Sequence, residues 1–331
     1  MRVSHGSERQ EQVTTSRLRT WVQVGASLAA LATTFILVDR AEIWRHLKHI
    51  QAGWLVLTLA LLLFQFAVMA ARWWLFARRL SAPLSYGRAL CEYFLSGFLN
   101  QILPLGILGD VTRATRHVRA QPAAAQSRSG RARVVLALVL ERASGQVALW
   151  LVVAAILPGW WLVIRAFTGT ALVAALGSLL IVLVASPWLV RWWRAKPEAR
   201  QLLSEGWRAL VAPRNLVLHL PLSLILVAGH TLAFVTIARG LELHLELALA
   251  LRVVPLVLVA TTAPFFVAGW GVREATVAGL YHAAGLRPAD GVTIALIYGC
   301  LSLVATVPGI LVLSRAYGAD EGLVAADGRP V

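Results

Sequence analysis

Six stretches of the chain, 21–38, 54–76, 134–157, 169–190, 216–238 and 291–313, are apolar over close to the roughly 20 residues that an α-helix needs to cross the hydrocarbon of a bilayer. A helix on the surface of a water-soluble domain carries a polar face, and these runs have none. Within lipid the backbone must satisfy its own N–H and C=O groups, so each run is expected to be a spanning helix. Charged residues make up only 14% of the 331, against about a quarter in soluble domains. The expected fold class is therefore an all-α integral membrane protein. A disordered chain, a collagen, a disulfide scaffold and a soluble two-domain enzyme are excluded. Cys91 and Cys300 sit in apolar surroundings and give no information about redox compartment.

The net charge is +15, from 31 Lys and Arg against 16 Asp and Glu. In a soluble protein that balance points to nucleic acid. Here the basic residues fall in short connections, where they mark the cytoplasmic side, and no nucleic-acid partner is expected. The tail 1–20 and the connections 77–89, 113–133 and 191–215 are basic and are expected inside, whereas 39–53, 158–168, 239–249 and 286–290 are not and are expected outside. Two further apolar stretches, 90–112 and 250–285, are interrupted by Gly, Pro and charge. Each is flanked by connections on one side of the membrane, so each is expected to be a re-entrant hairpin, the first entering from inside and the second from outside. The chain then divides into a cytoplasmic tail 1–20, a first membrane repeat 21–157, an external loop 158–168, a second and inverted repeat 169–313, and a cytoplasmic tail 314–331. Such repeats with interrupted helices place transporter sites near the bilayer midplane. The inversion is read from loop charge and not from identity between the halves. Trp54, Trp160 and Trp161 fall at proposed outer ends, and Trp21, Trp73, Trp74, Trp188, Trp192 and Trp193 at inner ends, as interfacial anchors do.

Three strings concentrate the polar residues that such a membrane region would not carry idly. The first hairpin holds NQILPLGILGDVTR, with Asn100, Pro104, Gly106, Gly109, Asp110 and Arg113. Pro104 removes an N–H and the glycines permit a tight reversal, so Asn100 and Asp110 either satisfy the broken backbone or face a polar ligand. Asp110 has the further alternative of capping a helix. The second hairpin holds PFFVAGWGVRE, with Pro264, Gly269, Gly271, Arg273 and Glu274. Arg273 offers a planar fork suited to phosphate or carboxylate, with Glu274 holding it or accepting a proton; alternatively the two neutralise each other at the interface. Between these strings, Glu141, Arg142, Ser144 and Gly145 lie two turns inside an apolar run, either as a polar patch or as an ion pair that fixes packing.

Glu42, His46 and His49 fit either a metal-binding face or the solvated face of an interfacial helix, and the second is preferred. His230 reads as a residue bonded to a neighbouring helix, and Arg72 and Arg252, near run ends, as side chains reaching toward the surface. There is no GxxxxGK[ST], HExxH, GxSxG or cysteine cluster. Neither cofactor nor metal is expected, and an enzymatic role is disfavoured.

In this order and spacing the three strings resemble the flippase-like family that includes the transmembrane region of lysylphosphatidylglycerol synthases. The resemblance rests on Asn100, Leu103, Pro104, Gly109, Asp110 and Arg113, then Glu141, Arg142 and Gly145, then Gly269, Gly271, Val272, Arg273 and Glu274, and covers about residues 20 to 315. Leu105 and Leu108 stand where the family often has glycine, which implies a stiffer first hairpin. No soluble aminoacyl-transferring domain is expected within these residues. The resemblance implies a lipid-translocating protein of a bacterial or archaeal cytoplasmic membrane, with both termini cytoplasmic. Arg113, Arg142 and Arg273 would grip a phosphate-bearing headgroup, while Asp110, Glu141 and Glu274 orient them or couple protons. Three positive and three negative groups leave the empty site near neutral, and an anionic or phosphate-linked lipid is expected over a cationic one. The alternative is a membrane-embedded enzyme, or a partner of lipid-modifying enzymes, in lipid or glycolipid biosynthesis.

Overall fold

The computed structural model describes residues 40–48, 50–103, 108–121, 127–156, 197–262 and 268–313, with scattered positions between 25 and 36. The described elements are all helical: α1 (Arg40–Lys48), α2 (Ala52–Arg79), α3 (Tyr86–Ile102), α4 (Leu108–Arg119), α5 (Arg128–Ile156), α6 (Pro197–Val211), α7 (Pro213–Gly240), α8 (Leu247–Thr261), α9 (Val272–Ala283) and α10 (Pro288–Thr306). Among the described residues four helices are long and apolar enough to cross a membrane: Ala52–Arg79, Arg128–Ile156, Asn215–Gly240 and Pro288–Leu313. They match the runs expected at 54–76, 134–157, 216–238 and 291–313. The run 169–190 lies outside the described residues, as does most of 21–38. Val56, Phe64, Val139, Leu151, Val217 and Leu311 point outward on the four long helices, each more than half exposed. Water would penalise that surface and lipid does not, as befits a multi-pass membrane protein.

Both interrupted stretches are helix–break–helix units. In the first, Leu103 takes an extended conformation (φ −86°, ψ 140°) and ends α3, as the residue before a proline tends to do. Pro104 itself lies in the undescribed segment 104–107. The chain returns as α4 with Gly109 against α3: its N–H donates to Asn100 Oδ1 at 2.8 Å. A Cβ at Gly109 would collide with the backbone oxygen of Ser96, so only glycine lets the two helices meet there. In the second unit α8 ends at Thr261, and the chain turns through positive φ at Ala268, Gly269 and Gly271 before α9 begins. The Glu274 carboxylate accepts the Gly271 N–H at 2.8 Å and so caps α9.

The first unit is longer than the sequence pattern implies. Helix α4 continues to Arg119, so Arg113, Arg116 and Arg119 are helical residues and not loop arginines. Arg113 is 1% exposed, and Arg116 holds the buried Glu92 with two bonds of 2.9 Å.

The element order also shows a local correspondence between the two halves, for which sequence inspection found no identity. Helices α2 and α7, each of 28 residues, end in the same way. Ala77, Arg78 and Leu80 of the first turn correspond to Ala238, Arg239 and Leu241 of the second, followed by Ser81 and Glu242, both at positive φ. In each turn an amide reaches back five residues, from Ala82 to Ala77 O at 2.9 Å and from Leu243 to Ala238 O at 2.8 Å. Each turn leads into a helix–break–helix unit and then a long helix. Pro104, Gly109 and Arg113 recur at the same spacing as Pro264, Gly269 and Arg273.

The main core lies where α2, α7, α8, α9 and α10 meet, around Leu62, Phe234, Ile237, Val254, Val277 and Ile294. Thr58 and Thr236 share a hydrogen bond of 2.8 Å inside it, a polar tie of the kind that joins helices in lipid.

Candidate functional site

A cavity of roughly 680 Å³ opens between the two helix–break–helix units. The first unit lines it with Ser96, Asn100, Gln101 and Asp110, and the second with Thr261, Thr262, Ala268 and Gly269. Helices α2, α5, α7 and α10 complete the wall. Asp110 and Arg142 are the only charged residues on it among those described; the rest are apolar or neutral hydrogen-bonding groups.

Behind Asp110 lies a network of five charges. Arg142 Nη2 meets Asp110 Oδ2 at 2.5 Å. Arg113 Nη2 meets Asp110 Oδ1 at 3.0 Å and Glu141 Oε2 at 3.5 Å. Arg72 Nη1 lies 3.6 Å from Glu141 Oε1, and its Nη2 donates to the Glu141 carbonyl at 2.6 Å and to Ser144 Oγ at 2.8 Å. Gly145 lies against this guanidinium, and a Cβ there would be 3.0 Å from Arg72 Nη2. The packing explains why a glycine follows the Glu141–Arg142 pair. Arg72, Arg113 and Arg142 against Asp110 and Glu141 leave one net positive charge. The arginines differ in access: 55% of the Arg142 side chain is exposed, against 4% for Arg72 and none for Arg113.

Arg113 is also stacked, with its guanidinium carbon 4.0 Å from the centre of the Tyr93 ring and 4.6 Å from that of Trp73. Arg273, its counterpart in the second unit, is 4.8 Å from Trp270 and 5.5 Å from Tyr298. In both units a buried arginine is thus flanked by a tryptophan and by a tyrosine that lines the cavity. Arg273 bonds Glu274 through Nε at 3.0 Å and Nη2 at 2.5 Å. Glu274 is fully buried and Arg273 is 4% exposed. Gly299 leaves the space that the guanidinium fills.

Of the residues singled out in the sequence, Asn100, Asp110, Arg142 and Gly269 line the cavity. Gly109 and Gly271 shape the breaks. Arg113, Glu141, Arg273 and Glu274 stand behind the wall, so of the three arginines expected to grip a headgroup only Arg142 lines the cavity. Arg273 already has its carboxylate one residue away. Pro104 lies outside the described residues.

Sequence reasoning missed Arg72, which does not reach for the surface: it is buried in the charge network. Arg252, by contrast, is exposed. Trp73 was expected at the interface and is instead fully buried against Arg113. The recurrence of Arg113 and Arg273 between the halves was the available signal that an arginine here needs buried aromatic and acidic partners. His230 Nδ1 is 2.7 Å from the Tyr298 hydroxyl, the interhelical bond expected of it. His46 pairs with Asp290 at 3.0 Å. The Glu42 side chain and His49 lie outside the described residues, and no group of three metal-ligating side chains occurs among those described.

The family described as lysylphosphatidylglycerol synthase TM region matches residues 20–309. No curated protein matches the chain, and no solved structure does.

Proposed function

Because the chain belongs to the lysylphosphatidylglycerol synthase transmembrane-region family, we propose that it translocates a lipid or lipid-linked carrier across a bacterial or archaeal cytoplasmic membrane. A phosphate-bearing headgroup would pass through the cavity between the two broken hairpins, without an ATPase of the protein's own. The observation that carries this reading is the cavity wall itself: one accessible arginine paired to one carboxylate, set among neutral and apolar groups. A phosphate can replace Asp110 on the Arg142 fork, because Arg113 still holds Asp110 from behind. The net positive charge of the five-residue network favours an anionic or phosphate-linked lipid over a cationic one. Arg142 makes the headgroup contact, whereas Arg72 and Arg113 keep the carboxylates in place. Apolar lining from Leu62, Phe66, Val111 and Val135 suits the glycerol and upper acyl region of the same molecule. The membrane arrangement proposed with this function has six full spans and two re-entrant hairpins in inverted repeats, with both termini inside.

The test is reconstitution in liposomes carrying acyl-labelled phosphatidylglycerol or polyprenyl phosphate, with quenching of the outer-leaflet label. Protein-dependent loss of asymmetry is expected, slowed at least about tenfold by Arg142→Gln, the loss of a charge-assisted contact worth roughly 1.5–3 kcal/mol. A panel with no protein-dependent movement would overturn the reading. Competition by the lysylated lipid, with none by phosphatidylglycerol or polyprenyl phosphate, would overturn the choice of an anionic substrate.

A further inference from the structure

We infer that Gln65, His230 and Tyr298 form a neutral hydrogen-bonding subsite of the cavity, which reads hydroxyl groups on the headgroup of the translocated lipid. The inference rests on the translocator reading and names the chemistry that its substrate carries beyond the phosphate.

Gln65 lies in the middle of the most apolar stretch of α2, LLLFQFAV, where a leucine would form helix as well and bury at no polar cost. It is 1% exposed, and neither Nε2 nor Oε1 has a hydrogen-bond partner among the described residues. Gly229 of α7 packs flat against the amide, leaving no side chain there to pair with it: a Cβ would lie 3.2 Å from Nε2. Gln65 is one of the residues that line the cavity, with its two amide atoms themselves covered beneath the cavity surface. On the same wall, α7 and α10 contribute His230 and Tyr298, joined at 2.7 Å. Tyr298 is held in place by Phe234, 4.8 Å away between ring centres, and by Arg273. Imidazole and phenol each retain a second hydrogen-bonding capacity beyond the bond they share.

The chemistry of this set is selective. A carboxamide offers a donor and an acceptor side by side, the histidine–tyrosine pair offers either, and none of the three carries a formal charge when the imidazole is neutral. A carboxylate would use only the donors and an ammonium only the acceptors. Hydroxyl groups use both, and neighbouring hydroxyls match the paired atoms of the amide. With the phosphate on Arg142, the α2–α7–α10 wall then receives a polyhydroxylated headgroup.

Two lipids of equal charge separate the parts of the argument. Phosphatidylinositol and phosphatidylethanol are both phosphodiesters with one negative charge, and only the first has headgroup hydroxyls. Their binding to the full chain in phosphatidylcholine nanodiscs is to be measured by competition. The wild type is expected to prefer phosphatidylinositol by about tenfold or more, as sites built to bond a hydroxyl do. Gln65→Leu should bring that ratio toward one, and Tyr298→Phe, which keeps the ring beside Arg273, should lower it. Gln65→Asn should retain part of it. A wild type with no preference, or a preference intact in Gln65→Leu as it would be if the amide served only an ordered water, overturns the subsite and leaves the translocator reading standing. If neither lipid binds, the phosphate-lipid reading fails and the subsite with it.

Discussion

A buried arginine costs several kcal/mol to desolvate unless its surroundings repay it, and Arg113 shows how this chain does so. Two carboxylates and two aromatic rings surround it, each with a different geometric demand. Arg113→Ala leaves Glu141 Oε2 and Asp110 Oδ1 without their cation while Arg72 and Arg142 still hold the other oxygens, and is expected to cost up to about 3–5 kcal/mol. Arg113→Lys keeps the charge but loses the planar fork and the stacking, and should fall between wild type and Ala. Thermal unfolding in detergent, followed by tryptophan fluorescence, checks both; equal melting of Arg113→Ala and wild type would mean the network is not coupled to stability. The same reasoning makes Gly145 a sensitive position. A methyl group there presses on the Arg72 guanidinium, and Gly145→Ala is expected to destabilise by about 1–3 kcal/mol.

Two contacts at the level of elements set how helices dock. In the first helix–break–helix unit, α3 and α4 meet through Gly109 under the Ser96 carbonyl, with Asn100 bonding the Gly109 amide. Gly109→Ala must push the pair apart, and it should weaken substrate movement in liposomes by tenfold or more because Asn100 and Asp110 lie on either side of the joint. Asn100→Asp, which keeps the acceptor, should be milder. At the other contact, α6 is fastened to α5 by Arg133, which bonds both oxygens of Glu205 at 3.0 Å. That pairing holds the Glu205 carboxyl below its ordinary range. A depressed folded-state value gives stability that is present above the unfolded pKa and lost as pH falls through the folded one. Glu205→Gln is therefore expected to lower the melting temperature at pH 7, and the gap to wild type should close as pH falls below about 4. The effect should be small, within the roughly 0.2–1 kcal/mol of partly exposed pairs.

At the scale of the molecule, the matching turns after α2 and α7 and the matching Pro–Gly–Arg spacing in the two broken units relate α2–α5 to α7–α10. If the halves are inverted as the loop charges imply, the turn after α2 and that after α7 face opposite sides of the membrane. In a chain with Cys91 and Cys300 replaced, Ser129→Cys should resist an impermeant maleimide in intact cells and His244→Cys should react. Labelling of both from outside would remove the inverted arrangement while leaving the helices as they are.

The apolar runs dictated four of the described helices by themselves, because lipid leaves the backbone no partner except its own turns. Pro104 and the glycines around 269–271 likewise marked the breaks, since φ preferences and missing N–H groups act within a residue or two. Arg273 and Glu274 were legible as a pair because they adjoin. Which charges share a network was not. Arg72 meets Glu141 across two helices far apart in sequence, and near the end of an apolar run it looks like any arginine that reaches the surface. Only packing separates the Arg142 that lines the cavity from the Arg113 buried behind it, because access depends on how α2, α4 and α5 meet. For the same reason Gln65 passed unnoticed among leucines and phenylalanines: its exceptional feature is the absence of a partner among the described residues around it, which no local stretch of sequence can express.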